Sequence, residues 1–539
     1  MKKILCVLMC FATLAASVCL ASNKSSAVYP GKVPIIFIHG QGAPLVRDKE
    51  DGTTENVNFD IDTDKIISTV SENYDVLLKA FATQDWTDFD NMLIDIMTDI
   101  YSDCVLDETG EPKDGSRCYF EPTVDWCRER LNNCSDVEAF CFDYDWRLDP
   151  LENMDELDAY INMVLEATGS DEYALCGRCE GACLLLQYLE YYKDNHDGNF
   201  DDRITDIIFY ASAVNGVSPL SEAFAGKLCV DADGIERFVY DTEFNLNYQL
   251  TDELTITDEL LRKVITVITD YYGTDIAAFA IENVYNQIYT ALVPELLINS
   301  YSSFPGYWTM VRDEDYEDAK KFIFGSDEKY SAFIEKIDNY HYNIANKSEE
   351  IIKEAQENGI EVSDIVKYGK QLYPCTANSD TQSDSLCTVT DASWGATVTN
   401  IGETFSDKYI NTMAKKGRGS YISPDKCIDA FTGLLPDTTW YIKNIAHKDF
   451  PNGVDSLIFE IVNTDNMTVR SNENFPQYLF YDNEKNEISP YKVETQKTNL
   501  DNYCEEVLPS VQKEIKPKFN WLYKLITFII KILTPKAKS

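Results

Sequence analysis

The chain has 539 residues, 44% of them hydrophobic, which is enough for one large domain with an insertion or for two to three domains. Its formal net charge is -44, from 91 acidic residues against 47 Lys and Arg. Binding to nucleic acid phosphates needs clustered cations, so this composition argues against nucleic acid as a partner.

The N-terminus has the pattern of a secretory signal peptide. Lys2 and Lys3 precede an apolar run from residue 4 to about residue 20, and the small residues Ala21 and Ser22 follow. The run is too short and too close to the terminus for a membrane-spanning helix. We therefore assign residues 1–21 to a signal peptide and expect the mature protein to be secreted or extracytoplasmic.

The mature chain has an odd number of cysteines, which in an oxidising compartment cannot all pair with one another. Of 16 cysteines, three lie in the signal and an odd number, 13, remain in the mature chain, so at least one is not paired within it. Three pairs bracket short polar loops and are candidate disulfides: Cys104 with Cys118, Cys127 with Cys134, and Cys375 with Cys387. Cys179 is the candidate for the unpaired thiol.

Apolar strands alternate with helical patterns over residues 29–240. The strands are expected at 33–38, 140–142, 173–176 and 204–211, and residues 154–166 and 182–192 have helical patterns between them. Continuous apolar strands of this kind are typical of a parallel sheet that is buried on both faces. The fold class is therefore α/β, with 29–240 as the first part of the core.

Helical periodicity with many aromatic residues replaces this alternation after residue 240. We assign 241–394 to an inserted helical cap, 395–480 to the second part of the core and 481–512 to a connecting segment. A strand is expected at 438–442, shortly before His447. Aromatic residues at helical spacing usually pack in a core, but a cap above a site also needs an apolar inner wall.

The last segment, residues 513–539, is basic and amphipathic. It contains seven lysines and one glutamate, and Asn520, Lys524, Thr527 and Lys531 share one helical stripe beside a broad apolar face. Such a helix can lie in a membrane interface. A final helix docked on its own acidic protein is the equally weighted alternative.

The run Gly177-Arg178-Cys179-Glu180-Gly181 has the spacing of a nucleophile elbow, with Cys at the position of the usual Ser. It lies where a strand is expected to lead into a helix, and the flanking glycines suit a turn without room for side chains. The helix N-terminus and Arg178 both favour a thiolate, which is the nucleophilic form. A buried structural cysteine in a glycine-rich turn is the alternative.

Two other chemistries use cysteines at this spacing. Cys176 and Cys179 form a C-x-x-C motif at a strand-to-helix junction, as in thiol–disulfide oxidoreductases. Cys183 would extend the motif to a metal cluster, but no histidine or suitable acid is near in the sequence. We predict no metal.

The turn at His39-Gly40 resembles the oxyanion loop of α/β-hydrolases, in which the backbone N–H groups of Gln41 and Glu180 would hold an oxyanion. The chain has four histidines. His447 alone follows the last predicted strand, which is the chain-order position of the general base in that fold.

Tyr144-Asp145-Trp146-Arg147, between the oxyanion loop and the elbow, resembles a motif of the lecithin:cholesterol acyltransferase family of lipases and acyltransferases. The resemblance covers residues 30–230 and, more weakly, 395–450. It implies an α/β-hydrolase fold with a cap, acyl transfer from a lipid ester through an acyl-enzyme, and no cofactor.

By position in that family, Cys179 corresponds to the nucleophile and His447 to the base. The family's acid belongs to a turn that corresponds here to 417–425, so Asp425 is our preferred acid and Asp429 the alternative. The predicted function is an exported lipid-ester hydrolase or O-acyltransferase. A catalytically inactive surface binding protein and an oxidoreductase using Cys176 and Cys179 are the alternatives.

Overall fold

The protein is represented by a computed structural model. The structure describes residues 32–41, 44–49, 53–57, 75–76, 79, 83, 85, 87–102, 104–113, 115–119, 140–229, 231–241, 248–251, 254–256, 293–294 and 296–507. The predicted signal peptide 1–21, the C-terminal segment 513–539, and Cys127 and Cys134 lie outside these residues.

A mostly parallel sheet of eight strands forms the centre of the described protein. In chain order its strands are β1 (Ile35–Ile38), β2 (Phe140–Phe142), β3 (Tyr173–Arg178), β4 (Ile204–Tyr210), β5 (Glu361–Tyr368), β6 (Thr439–Lys443), β7 (Tyr478–Asp482) and β8 (Glu487–Pro490). Their order across the sheet is β8-β7-β6-β5-β4-β3-β1-β2. All neighbouring pairs are parallel except β7 with β8, which is antiparallel. The predicted α/β class and its first four strands are confirmed.

The sheet is buried because its strands carry apolar side chains on both faces. Every residue of β1 is buried, and Phe37 pairs in register with Cys141 on one side and with Cys176 on the other. Helices cover the sheet and satisfy the need of a parallel sheet to exclude water from both faces. Helices Met154–Thr168, Glu180–Asn195 and Ser348–Glu357 bury apolar residues in this core.

Other elements surround this core. The remaining helices are Thr87–Tyr101, Ser218–Phe224, Ala232–Asp241, Pro305–Trp308, Asp313–Phe324, Ser331–Asn343, Val389–Ala392, Asp407–Lys415, Val454–Val462 and Asn499–Asn502. Three small sheets pair Leu45–Asp48 with Thr54–Val57 and Arg117–Cys118, Tyr248–Thr251 with Leu254–Ile256, and Thr397–Val398 with Ile428–Asp429. Within the described residues, no helix combines the length and apolar character needed to cross a bilayer.

The chain reverses direction across the sheet at β1. It passes from β1 to the edge strand β2, then returns to the other side of β1 for β3, and continues outward from there. The carboxyl ends of the two strands at such a reversal form a crevice where open α/β sheets bind ligands. This topology directs attention to the residues after Ile38 and Arg178, namely His39-Gly40 and Cys179.

The predicted cap boundary at residue 394 needs correction. Helices occupy 313–357, but Glu361–Tyr368, inside the predicted cap, is the central strand β5. Its sequence includes Asp364 and Lys367, which are both buried. These charged residues interrupt the apolar run by which a buried strand is recognised in a sequence. The second part of the core therefore begins near residue 361.

The disulfides expected between Cys104 and Cys118 and between Cys375 and Cys387 are not formed in the structure. The two bracketed loops are instead held by hydrogen bonds. The Cys118 N–H donates to Asp145 Oδ2 over 3.0 Å, and the Cys387 N–H donates to Asp384 Oδ1 over 2.8 Å.

Candidate active site

Cys179 occupies a strained turn between β3 and helix Glu180–Asn195. Its φ of 53° and ψ of -124° lie in a region that non-glycine residues rarely adopt, at a cost of about 1–3 kcal/mol. A Cβ on Gly177 would lie 2.7 Å from Ala182 Cα, and one on Gly181 would lie 2.1 Å from the Ile38 carbonyl oxygen. The two glycines are therefore required by close backbone contacts, and the turn holds the Cys179 side chain at the carboxyl end of the sheet.

The His39-Gly40 turn lies directly against Cys179. A Cβ on Gly40 would come within 3.0 Å of Cys179 Cβ and 3.5 Å of its Sγ. The His39 ring does not face the thiol as a base, because its Nε2 is 2.5 Å from Asp143 Oδ1 and its Nδ1 is 2.6 Å from the Gly40 carbonyl oxygen. His39 thus ties the ends of β1 and β2 together and sets the path of the backbone leading to Gln41.

His447, after strand β6, pairs with Asp384 from the loop after β5. His447 Nδ1 is 2.6 Å from Asp384 Oδ2, and the His447 backbone N–H donates to the Asp384 carbonyl oxygen over 2.8 Å. Asp384 Oδ1 accepts further N–H bonds from Leu386 at 3.1 Å and Cys387 at 2.8 Å. Asp384 is 1% exposed and His447 7%, so water does not compete for this pair.

The structure pairs the His447 ring with neither of the acids expected from the sequence. Asp425 is 2.9 Å from Lys443 Nζ and accepts a bond from the Cys427 thiol. Asp429 accepts from the Tyr409 hydroxyl at 2.7 Å. The partners of Asp425 are thus Lys443 and Cys427, and those of Asp429 are the Tyr409 hydroxyl and the Phe431 N–H. The acid beside His447 is Asp384 instead.

Asp384 was not among the predicted site residues because strand β5, which precedes it, does not stand out in the sequence. The Ser/Thr/Asp-rich segment 375–391, which contains Asp384, lies inside the predicted cap 241–394. Val362, Ile365 and Val366 were the available signal, since β-branched residues favour strands even between charged neighbours. A strand there would have put Asp384 in the loop that precedes the strand leading to His447.

The charges of the site favour a thiolate and an imidazolium. Burial raises the pKa of the Cys179 thiol, but the charges of His447 and Arg178 lower it below its usual value. Burial lowers the pKa of His447, but the Asp384 carboxylate and the Cys179 thiolate raise it well above its usual value. Burial likewise raises the pKa of Asp384, and the charges of His447 and Lys367 lower it, so this carboxyl is ionised at neutral pH.

Two buried cations fix the loop that carries His447. Lys367 Nζ donates to the carbonyl oxygens of His447 and Asp449, both over 2.6 Å. Arg178 Nη2 donates to the carbonyls of His447 at 3.1 Å and Lys448 at 2.8 Å. The residue that precedes the nucleophile therefore also holds the histidine loop, and His447 Nε2 is left without a hydrogen bond of standard geometry to any described residue.

The Tyr144-Asp145-Trp146-Arg147 turn joins the core to the helices above it. Arg147 is fully buried and binds both carboxylate oxygens of Asp145, through Nε at 2.9 Å and Nη2 at 2.7 Å. Trp146 packs edge-on against Phe304, with ring centroids 5.6 Å apart. The Gly306 N–H donates to the Arg147 carbonyl oxygen over 3.1 Å, so helix Pro305–Trp308 is fixed above Cys179 by this turn.

One group of described residues has side chains arranged closely enough to hold a metal ion. The ligand atoms of Asp384, Cys387 and His447 all lie within 4.8 Å of one another. Both carboxylate oxygens of Asp384 are already bound, one to His447 and one to backbone N–H groups. This arrangement fits a carboxyl that orients an imidazole.

No protein-family model and no curated protein matches the chain. Among solved structures, a Tle4–Tli4 complex is similar over 63% of this chain and 75% of that chain, with 11% identity and a TM-score of 0.23. Kex1ΔP, a prohormone-processing carboxypeptidase from Saccharomyces cerevisiae, is similar over 62% of this chain and 65% of that chain, with 10% identity and a TM-score of 0.18. At these TM-scores neither likeness bears on fold or function.

Proposed function

We propose that the protein is an acyl hydrolase or acyltransferase of the α/β-hydrolase type, with Cys179 as nucleophile, His447 as general acid and base, and Asp384 as the residue that orients His447. The observation that carries the proposal is the buried His447–Asp384 pair beside a cysteine held in a strained turn. Nucleophile, base and orienting acid are the three roles that covalent acyl transfer requires.

In the proposed reaction the Cys179 thiolate attacks the carbonyl carbon of an ester or thioester. The carbonyl oxygen gains the negative charge, and the backbone N–H of Glu180, with that of Gln41 after Gly40, would stabilise it. The His447 imidazolium then donates its Nε2 proton to the departing alkoxide or thiolate, and an acyl-thioester on Cys179 remains. Water or an alcohol gives its proton to His447, attacks the acyl-enzyme, and regenerates the thiolate.

The chain order of the three residues supports the α/β-hydrolase assignment. Cys179 follows β3, Asp384 follows β5 and His447 follows β6, so the order is nucleophile, acid, histidine, as in that fold. Membership of the lecithin:cholesterol acyltransferase family, a lipid-ester substrate and export from the cytoplasm remain predictions from the sequence.

The two alternative functions find less support. An inactive binding protein would not need an acid to orient His447, whereas Asp384 supplies a carboxylate at His447 Nδ1. The oxidoreductase needs a reactive Cys176, but that thiol is fully buried inside β3 and burial raises its pKa well above the usual value. A pair in which only Cys179 is activated fits nucleophilic catalysis better.

Labelling and hydrolysis measured on the same protein test the proposal. An activity-directed thiol probe should label Cys179 faster than any other cysteine, and Cys179→Ala should abolish both labelling and hydrolysis of short acyl thioesters. Cys183→Ala is the matched control, because this nearby buried thiol lies against the Thr309 carbonyl oxygen. Full activity of both Cys179→Ala and His447→Ala would overturn the proposal.

The basic segment 513–539 is proposed as a peripheral membrane contact. Its lysines and broad apolar face suit an anionic interface. Full-length protein should sediment with anionic liposomes, and a chain truncated after residue 512 should not. Equal sedimentation of the two chains would exclude this role.

A further inference from the structure

Two polar side chains beside Cys179 are buried without hydrogen-bond partners among the described residues. Glu180 and Tyr144 are each 2% exposed, and neither Glu180 Oε2 nor the Tyr144 hydroxyl makes a hydrogen bond there. A buried polar atom left without a partner costs about 1–3 kcal/mol, so such atoms beside a reactive group call for a ligand. The mechanism proposed above uses neither side chain.

Both side chains lie at the reacting centre. Glu180 is the residue after Cys179. The Tyr144 ring lies beside the ring of His39, with centroids 6.2 Å apart, and Gly40, next to His39, lies against Cys179. The cap covers this space closely, since a Cβ on Gly306 would lie 2.7 Å from Glu180 Oε1. The same Cβ would lie 2.0 Å from the Trp146 carbonyl oxygen, so only glycine fits between this turn and the Glu180 carboxyl.

Strand order places these groups on the side of Cys179 away from His447. Tyr144 follows β2, which lies two strands from β3 in one direction, whereas Asp384 and His447 follow β5 and β6, which lie in the other direction. In the proposed reaction the leaving group must lie next to His447, which protonates it. The acyl portion of the substrate therefore extends toward Glu180 and Tyr144.

The chemistry of the two groups selects the kind of ligand. Burial raises the pKa of Glu180 well above its usual value, and the negative charges of Cys179 and Asp145 raise it further, which favours the protonated carboxyl, a group that can donate as well as accept. A carboxylic acid and a phenol can each donate one hydrogen bond and accept others, which matches a hydroxyl group. An ammonium group offers only donors, and an anion would meet the Cys179 thiolate.

We infer that Glu180 and Tyr144 form a subsite for an uncharged hydroxyl group on the acyl portion of the substrate, next to the scissile carbonyl. The inference rests on the proposed function. It makes the substrate class a hydroxyacyl ester or thioester, and Glu180 and Tyr144 become the residues that distinguish it from an unsubstituted acyl chain.

The test compares the N-acetylcysteamine thioesters of 3-hydroxybutyrate and butyrate, which share one leaving group. The full-length protein should prefer the hydroxylated substrate by about 10–100-fold in kcat/KM. The butyrate thioester lacks the hydroxyl group, so its binding would leave the buried polar groups of Glu180 and Tyr144 unpaired. In Tyr144→Phe and Glu180→Leu this preference should fall to within about threefold of one. Glu180→Gln, which keeps a donor and an acceptor, should retain part of it.

Tyr368→Phe is the matched control. The Tyr368 hydroxyl is also buried without a partner in the described residues, but it lies near Asp425 and Cys427, away from Cys179. This variant should keep the wild-type preference. A wild-type ratio near one, or a preference that survives both Tyr144→Phe and Glu180→Leu, would overturn the subsite. Hydrolysis that persists in Cys179→Ala would instead overturn the proposed function.

Discussion

Cys176 and Cys179 are three residues apart at the end of one strand, but the pKa of the Cys176 thiol is raised and that of the Cys179 thiol is lowered. Cys176 pairs in register with Phe37 and Ile208 inside the sheet, and burial raises its pKa. Burial acts on Cys179 in the same direction, but the charges of His447 and Arg178 outweigh it and lower the pKa. The charged groups around a thiol, more than its burial, therefore decide which of the two cysteines is reactive.

Alanine substitution should have different effects at the two positions, on hydrolysis at Cys179 and on stability at Cys176. Cys179→Ala removes the nucleophile, so hydrolysis should fall by about 10⁴-fold or more. Cys176→Ala removes a buried sulfur from the core, so the free energy of unfolding should drop by about 1–2 kcal/mol while kcat/KM stays within a few-fold of wild type. Steady-state kinetics and urea denaturation measure the two effects; an inactive but folded Cys176→Ala protein would favour the dithiol alternative.

Asp384→Asn should convert Cys179 toward an ordinary thiol. Without the carboxylate the raised pKa of His447 falls, the imidazolium is lost at neutral pH, and the pKa of Cys179 rises toward roughly 8.5. We expect kcat/KM at neutral pH to fall by about 10–100-fold, which the pH dependence of hydrolysis would show as a shift of the acidic limb to higher pH.

Asp425→Asn is the control for that variant, because Asp425 is also ionised and its side chain is only 11% exposed. Burial raises its pKa, but the Lys443 charge lowers it below the usual value, so its contribution to stability is present above about pH 4 and is lost as the pH falls through its folded pKa. The substitution should lower the unfolding free energy at pH 7 by about 3 kcal/mol and leave the Cys179 pH profile in place. An equal loss of activity in both variants would contradict the role given to Asp384.

Lys367→Met should have a smaller effect on the reaction than Asp384→Asn. It leaves the carbonyl oxygens of His447 and Asp449 without their ammonium donor, while Arg178 still holds the loop. A fall of about tenfold in kcat, equal to about 1.4 kcal/mol, is expected, with KM changed less. Kinetics across several pH values would reveal it; a fully active variant would show that Arg178 alone positions the loop.

Local patterns were enough to predict the parts of the site that depend on local backbone geometry. Gly177 and Gly181 fit contacts that only glycine allows, and the expected strands of the first half agree with the observed ones to within two residues at each end. Cys179 is predicted from such a pattern, whereas His447 is predicted from its chain-order position after the last expected strand. The loop predicted at His39-Gly40 is another local feature, because it directly follows the apolar strand expected at 33–38.

The rest depended on contacts between distant parts of the chain. Lys367 lies in a central strand, and the sequence does not show that its ammonium group will bind carbonyl oxygens 80 residues away. For the same reason the sequence could not decide which aspartate meets His447, since Asp425 was nearer in sequence and Asp384 lies 63 residues away. The role of a buried charged residue can be predicted only when the position of its partner in the fold is known.

The most direct test of the Cys179–His447 ion pair is the rate of Cys179 alkylation by iodoacetamide as a function of pH, read by mass spectrometry with the Cys176 peptide in the same digest. The ion pair predicts that Cys179 reacts at a nearly constant rate well below the ordinary thiol pKa of roughly 8.5, while Cys176 stays unmodified in the folded protein. A Cys179 rate that rises tenfold per pH unit up to roughly pH 8.5, as for an unperturbed thiol, would contradict it.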